Sequence, residues 1–98
     1  MVFKGRKRMS KFEETMNELN YQFDEQEGKK LTYRKRAQFS ELALVIDLES
    51  KTINPILVPV SLFLYRSDFI TFYKEFEQMR ADAELIAERS NGKLKVLN

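Results

Sequence analysis

The sequence predicts an α+β domain of α-β-β-β-α-β order: a small, mainly antiparallel sheet with two helices packed on one face and a basic N-terminal arm. Three observations carry this. Apolar residues recur at helical spacing near each end of the chain, first as Phe12, Met16, Leu19 and Phe23, later as Phe69, Phe72, Phe76, Met79, Ala83 and Ile86. Three short strand-like runs lie between these stretches, separated by polar connectors. Basic and acidic residues fall in separate blocks along the first 36 positions.

Residues 1–9 read as a flexible basic arm, in which Gly5 loosens the backbone and few side chains can pack. Residues 10–98 form the single domain that 98 residues allow. Ser10 and Glu13 make a capping box for the first helix, which is expected to fray after about Phe23, with Gly28 as its stop. The first strand covers residues 29–39, with Leu31, Tyr33, Lys35 and Ala37 on one side and Thr32, Arg34, Arg36 and Gln38 on the other. The second, residues 42–48, is apolar enough for a central position, and residues 49–52 make a hairpin connector. The third, residues 53–60, carries Pro55 and Pro59, which cannot donate to a ladder and place it at an edge. Residues 61–66 either prolong that strand or begin the next helix. The second helix is clear from Phe69 onward, with Ser67 or Asp68 as its cap, and closes at Asn91 and Gly92. Residues 93–97 alternate as a last short strand.

Composition narrows the chemistry. The chain has no Cys, so thiolate nucleophiles and disulfides are excluded, and no His, which removes the commonest general base and metal ligand. No cofactor is expected. The basic start is not followed by an apolar stretch, so no secretory signal is read and a cytoplasmic location is the expectation. The most apolar segment, residues 53–65, is too short to span a bilayer, and no membrane partner is expected.

The net charge of +2 conceals a segregated pattern. Lys4, Arg6, Lys7, Arg8 and Lys11 form one acid-free block, and Lys29, Lys30, Arg34, Lys35 and Arg36 form another. Between them lie six acids and no cation. A concentrated positive field suits a polyanion, so nucleic acid, DNA or RNA, is the first partner to consider. The expected contacts are Lys4, Arg6, Lys7 and Arg8 of the arm with Lys29, Lys30, Arg34, Lys35 and Arg36 of the strand, and Tyr33 as a stacking surface if it faces outward. The rival account of the same charges is pairing between Arg34, Arg36 and the neighbouring acids.

Asp47-Leu-Glu49-Ser-Lys51 contains a Glu-x-Lys, and the predicted element order resembles the core of restriction-endonuclease-like nucleases. That resemblance implies a Mg²⁺ held by carboxylates and a lysine beside the attacking water. The preceding strand, Tyr-Arg-Lys-Arg-Ala-Gln-Phe, offers no acid to complete such a site, so the segment is read as a turn and no enzyme is expected. The reading is therefore a small accessory or regulatory nucleic-acid-binding protein. Its alternative is a protein-interaction module, an inhibitor or adaptor, using segregated acidic and basic faces and a wide aromatic helix face, which would also serve a homodimer. No small-molecule substrate is indicated.

Overall fold

A computed structural model describes residues 11–97. The expected basic arm, with Lys4, Arg6, Lys7 and Arg8, and the Ser10 cap lie outside these residues. The order is α1 (Lys11–Glu18), β1 (Gln22–Glu27), β2 (Lys30–Arg36), β3 (Ser40–Asp47), β4 (Thr52–Pro59), α2 (Arg66–Arg89) and β5 (Lys95–Val96). The fold is α+β. Five strands form one sheet in the order β1-β2-β3-β4-β5, antiparallel throughout except for the β4–β5 pair.

One more strand is present than the sequence reading allows. α1 stops at Glu18 and does not reach Phe23, because Asn20 takes a left-handed conformation (φ 69°) and closes the helix. The Tyr21 N–H reaches the Met16 carbonyl at 2.9 Å and the Asn20 N–H that of Asn17 at 3.1 Å, the paired bonds of a Schellman termination. The chain then enters β1. Gly28, read as a helix stop, is instead the first residue of a two-residue hairpin loop, where its positive φ of 63° meets the twist of the flanking strands. Three acids expected near the end of a helix, Asp24, Glu25 and Glu27, thus lie on an edge strand paired with β2.

The core lies between one sheet face and the helices. Leu31 and Tyr33 of β2, Leu42, Leu44 and Ile46 of β3, and Ile53 of β4 pack against Met16 of α1 and Met79, Ala83 and Ile86 of α2. Register explains the selection, since Leu31, Ile46 and Ile53 stand opposite one another and share a face, as do Tyr33 and Leu44. β3 is central and its residues are mostly buried, as its apolar run requires. The β3–β4 connection is a turn held by Asp47, whose Oδ1 accepts from the Glu49 N–H at 2.9 Å and the Ser50 N–H at 3.1 Å. The Ser50 N–H, followed by the Glu49 N–H, holds the Asp47 carboxyl below its usual range.

β4 is an edge over most of its length. β5 covers only Thr52 and Ile53. The Ile53 carbonyl accepts from the Leu97 N–H at 2.8 Å, so alternate residues from 53 aim their main-chain groups away from β3. Pro55 and Pro59 fall on that side and have no N–H, which leaves Leu57 as the donor along this edge.

Residues 61–65 are neither strand nor helix. α2 begins at Arg66, with the Asp68 carboxylate accepting from the Leu64 N–H at 2.8 Å and the Tyr65 N–H at 3.0 Å. Its 24 residues span about 36 Å, more than the sheet beneath it needs. Its buried residues, Met79, Asp82, Ala83 and Ile86, all belong to the second half. The first half overhangs.

Candidate functional site

The basic strand is divided by its own pleat. Arg34 and Arg36 point to the open sheet face, while Tyr33 and Lys35 point to the helices. Tyr33 is 4% exposed and sits edge-on between Phe12 and Phe23, which leaves no ring face for a base. Lys35 donates to the Leu19 carbonyl at 3.0 Å, stands 3.5 Å from the Asp82 carboxylate and lies over the Tyr21 ring at 4.7 Å. It holds α1 and α2 to the sheet rather than facing solvent.

The outward cations are matched by acids. Arg34 Nε donates to Asp24 Oδ2 at 2.8 Å, and this bond holds the guanidinium above its usual pKa. Arg36 stands opposite Glu41, with its Nε on the Ala37 carbonyl at 3.0 Å. Lys30 lies between Glu27 of β1 and Asp47 of β3 in the ladder, and Lys29 is exposed in the hairpin loop. The block that is purely basic along the chain becomes a face of mixed sign once β1 folds back beside it.

Two further features lie away from the basic strand, a buried polar cluster that the sequence reading missed and an apolar surface that it expected in part. The first is a buried polar cluster. Asp82 is 2% exposed, accepts from the Tyr21 hydroxyl at 3.0 Å and from Gln78 Nε2 at 2.9 Å, and faces Lys35. A carboxylate set between Met79, Ala83 and Ile86 on the core face of a helix is the signal that marks it. Burial, then the Asp82 charge and hydrogen bond, push the Tyr21 phenol far above its ordinary value. Burial, then the charge and hydrogen bond of Glu13, push Tyr33 up to about 12.

Both shifts favour the neutral phenol in the folded chain. Their stabilisation is therefore complete below about pH 10, where an unfolded tyrosine keeps its proton, and is lost as pH rises through the folded values. Stability is expected to fall above pH 10 by up to about 1.4 kcal/mol per pH unit for each of the two residues. Urea midpoints between pH 9 and 12 check this, and Tyr33→Phe should roughly halve the slope. A flat profile would mean that both phenols ionise in place.

The second feature is apolar surface. Among the described residues, ten of the thirteen large hydrophobics that stay exposed lie within residues 56–76, and seven of these run from Leu62 to Phe76. Ile56 and Val58 are on the open sheet face, opposite Ala43 and Glu41. Leu62, Leu64 and Tyr65, at 80%, 70% and 69% exposure, lead into α2, and Phe69, Ile70, Tyr73 and Phe76 continue along its first half. Phe63 ties the segment before α2 to the helix and to the β2–β3 connection, with its ring 5.4 Å from Phe39, 4.8 Å from Phe69 and 4.9 Å from Phe72. The aromatic stripe of the sequence thus divides, with Phe72 turned to this small cluster and its neighbours to solvent.

Among the described residues no group of three or more His, Cys, Asp or Glu could hold a metal ion, and no helix is long and apolar enough to cross a membrane. Comparison with protein-family models, curated proteins and solved structures found no match to this chain.

Proposed function

We propose that the chain is a protein-interaction module that docks a protein partner through the surface of residues 62–76. The observation that carries this reading is the run of seven exposed large apolar residues from Leu62 to Phe76, three in the segment leading into α2 and four along the first half of the helix. Burying such a surface is favourable by about 25 cal/mol per Å², and monomeric proteins seldom leave so much of it open. Both sheet edges are blunted, β4 by its prolines and β1 by three acids and a bulge after Phe23, so docking proceeds through side chains and not by strand addition. A nucleic-acid partner has less support, because the cations of β2 stand among Asp24, Glu27, Glu41 and Asp47.

The immobilised 98-residue chain is expected to retain a protein at fixed stoichiometry after nuclease treatment. Ile70→Glu with Tyr73→Glu, both at exposed helix positions, should lose it, and Arg36→Ala should keep it. Capture of nucleic acid that weakens by about 0.7–0.9 log units per log[salt] for each phosphate neutralised, and is lost on Arg36→Ala, would overturn the reading.

A further inference from the structure

We infer that the occupant of this surface is a second copy of the chain, packed antiparallel along the first half of α2 about a two-fold axis between Thr71 and Phe72. The inference rests on the protein-docking reading above and names its partner.

Area is the first argument. With about 200 Å² for each fully exposed large side chain, the open fractions of the seven residues from Leu62 to Phe76 sum to roughly 800 Å². A stable interface of ordinary size buries about 800 Å² on each partner, so two copies of this patch suffice without any other surface.

Charge is the second. Arg66, Ile70, Tyr73 and Glu77 are all exposed and follow one another at spacings of 4, 3 and 4, so they line one stripe of the helix. Arg66 lies at one end and Glu77 at the other, and neither forms an ion pair with another described residue. An antiparallel copy in this register puts Arg66 opposite Glu77 at both ends and Ile70 opposite Tyr73 between them. Parallel pairing would set Arg66 against Arg66 and Glu77 against Glu77. A slip of one turn would set Arg66 against Ala81 or Tyr73 and leave its charge unmatched. The stripe is complementary to itself in one orientation and one register, as an isologous contact requires. The charges then occupy the rim and the aromatic residues the centre.

Sedimentation equilibrium of the 98-residue chain over about 1–100 μM tests this, with charge reversals as probes. The chain is expected to be a dimer. Arg66→Glu and Glu77→Arg should each weaken it roughly 30-fold, since each variant turns two attractive rim contacts into repulsive ones. An equimolar mixture of the two variants should recover wild-type affinity, because every contact is again between opposite charges. A dimer indifferent to both reversals would overturn the antiparallel register. A monomer at 100 μM whose Ile70 and Tyr73 face still binds a hydrophobic dye would overturn the second-copy assignment while leaving a face for another protein. A monomer that binds no dye at this face would overturn both.

Discussion

Replacing Asp82 with alanine is expected to cost about 3–5 kcal/mol, the largest single effect of any substitution considered for this chain. Asp82 is almost fully buried, accepts two hydrogen bonds and faces the Lys35 ammonium at 3.5 Å. The Tyr21 hydroxyl follows α1, Gln78 Nε2 lies one turn back on α2, and Lys35 Nζ comes from β2. Alanine removes the acceptor and leaves the donors. The Tyr21 hydroxyl then has no partner in an apolar site, and the Lys35 ammonium, about a quarter exposed, keeps only the Leu19 carbonyl and the Tyr21 ring. Asp82→Asn keeps an acceptor for Tyr21 but removes the charge facing Lys35, and should cost about 1–3 kcal/mol. Combining Lys35→Met with Asp82→Ala should cost less than the two single losses together, because neither partner is then left alone. Urea unfolding followed by circular dichroism measures the four variants against the wild type. Typical small domains hold about 5–15 kcal/mol, so Asp82→Ala should show a sharply lowered midpoint or a partly unfolded baseline. A cost under 1 kcal/mol would mean that water reaches the cluster and the buried geometry is wrong.

The same cluster shows where sequence reasoning reached and where it stopped. Helical periodicity located both helices, alternation located β2 and β5, and apolar runs bounded by polar connectors located β3 and β4. The α+β class followed from them. The boundary at Asn20 did not, since the apolar spacing runs on through Phe23, and only the left-handed backbone at Asn20 distinguishes the end of a helix from its continuation. Once β1 was missed, Asp24 and Glu27 had no position, and the cations of β2 looked unopposed. The charge segregation was real, but its meaning depended on which strand lay beside which. The rival pairing of Arg34 with nearby acids was stated from the sequence, and Asp24 makes that pair from β1 rather than from a helix. The exposed patch was legible in part, since the aromatic face of the second helix was wide enough to suggest a partner or a second copy, but its extent was not. Periodicity reports which side chains are apolar, not whether anything covers them, and α2 is longer than the sheet it packs on.

Glu75→Ala should destabilise by about 2–4 kcal/mol and should do so at one corner of the molecule. The Glu75 carboxylate bridges α2 to the β2–β3 connection. It accepts from the Gln38 N–H at 3.0 Å, from the Phe39 N–H at 3.1 Å and from the Ser40 hydroxyl at 2.6 Å. These donors converge where the chain turns from β2 into β3, and Ser40 is fully buried, so alanine leaves its hydroxyl without that acceptor. Glutamine should rescue little. It keeps one acceptor oxygen, but its amide hydrogens face the same N–H groups that the carboxylate received. The position also bears on function. The second half of α2 is held by core packing and by Asp82, whereas the first half is joined to the sheet chiefly through Glu75 and the rings around Phe63. Without Glu75 the first half should sample more orientations, and any partner must then pay to order it. Hydrogen exchange should therefore quicken at Phe39, and self-association should weaken, although Glu75 is not part of the stripe formed by Arg66, Ile70, Tyr73 and Glu77. Faster exchange at Phe39 with undiminished association would separate the two roles and show that the docking face keeps its shape without this anchor.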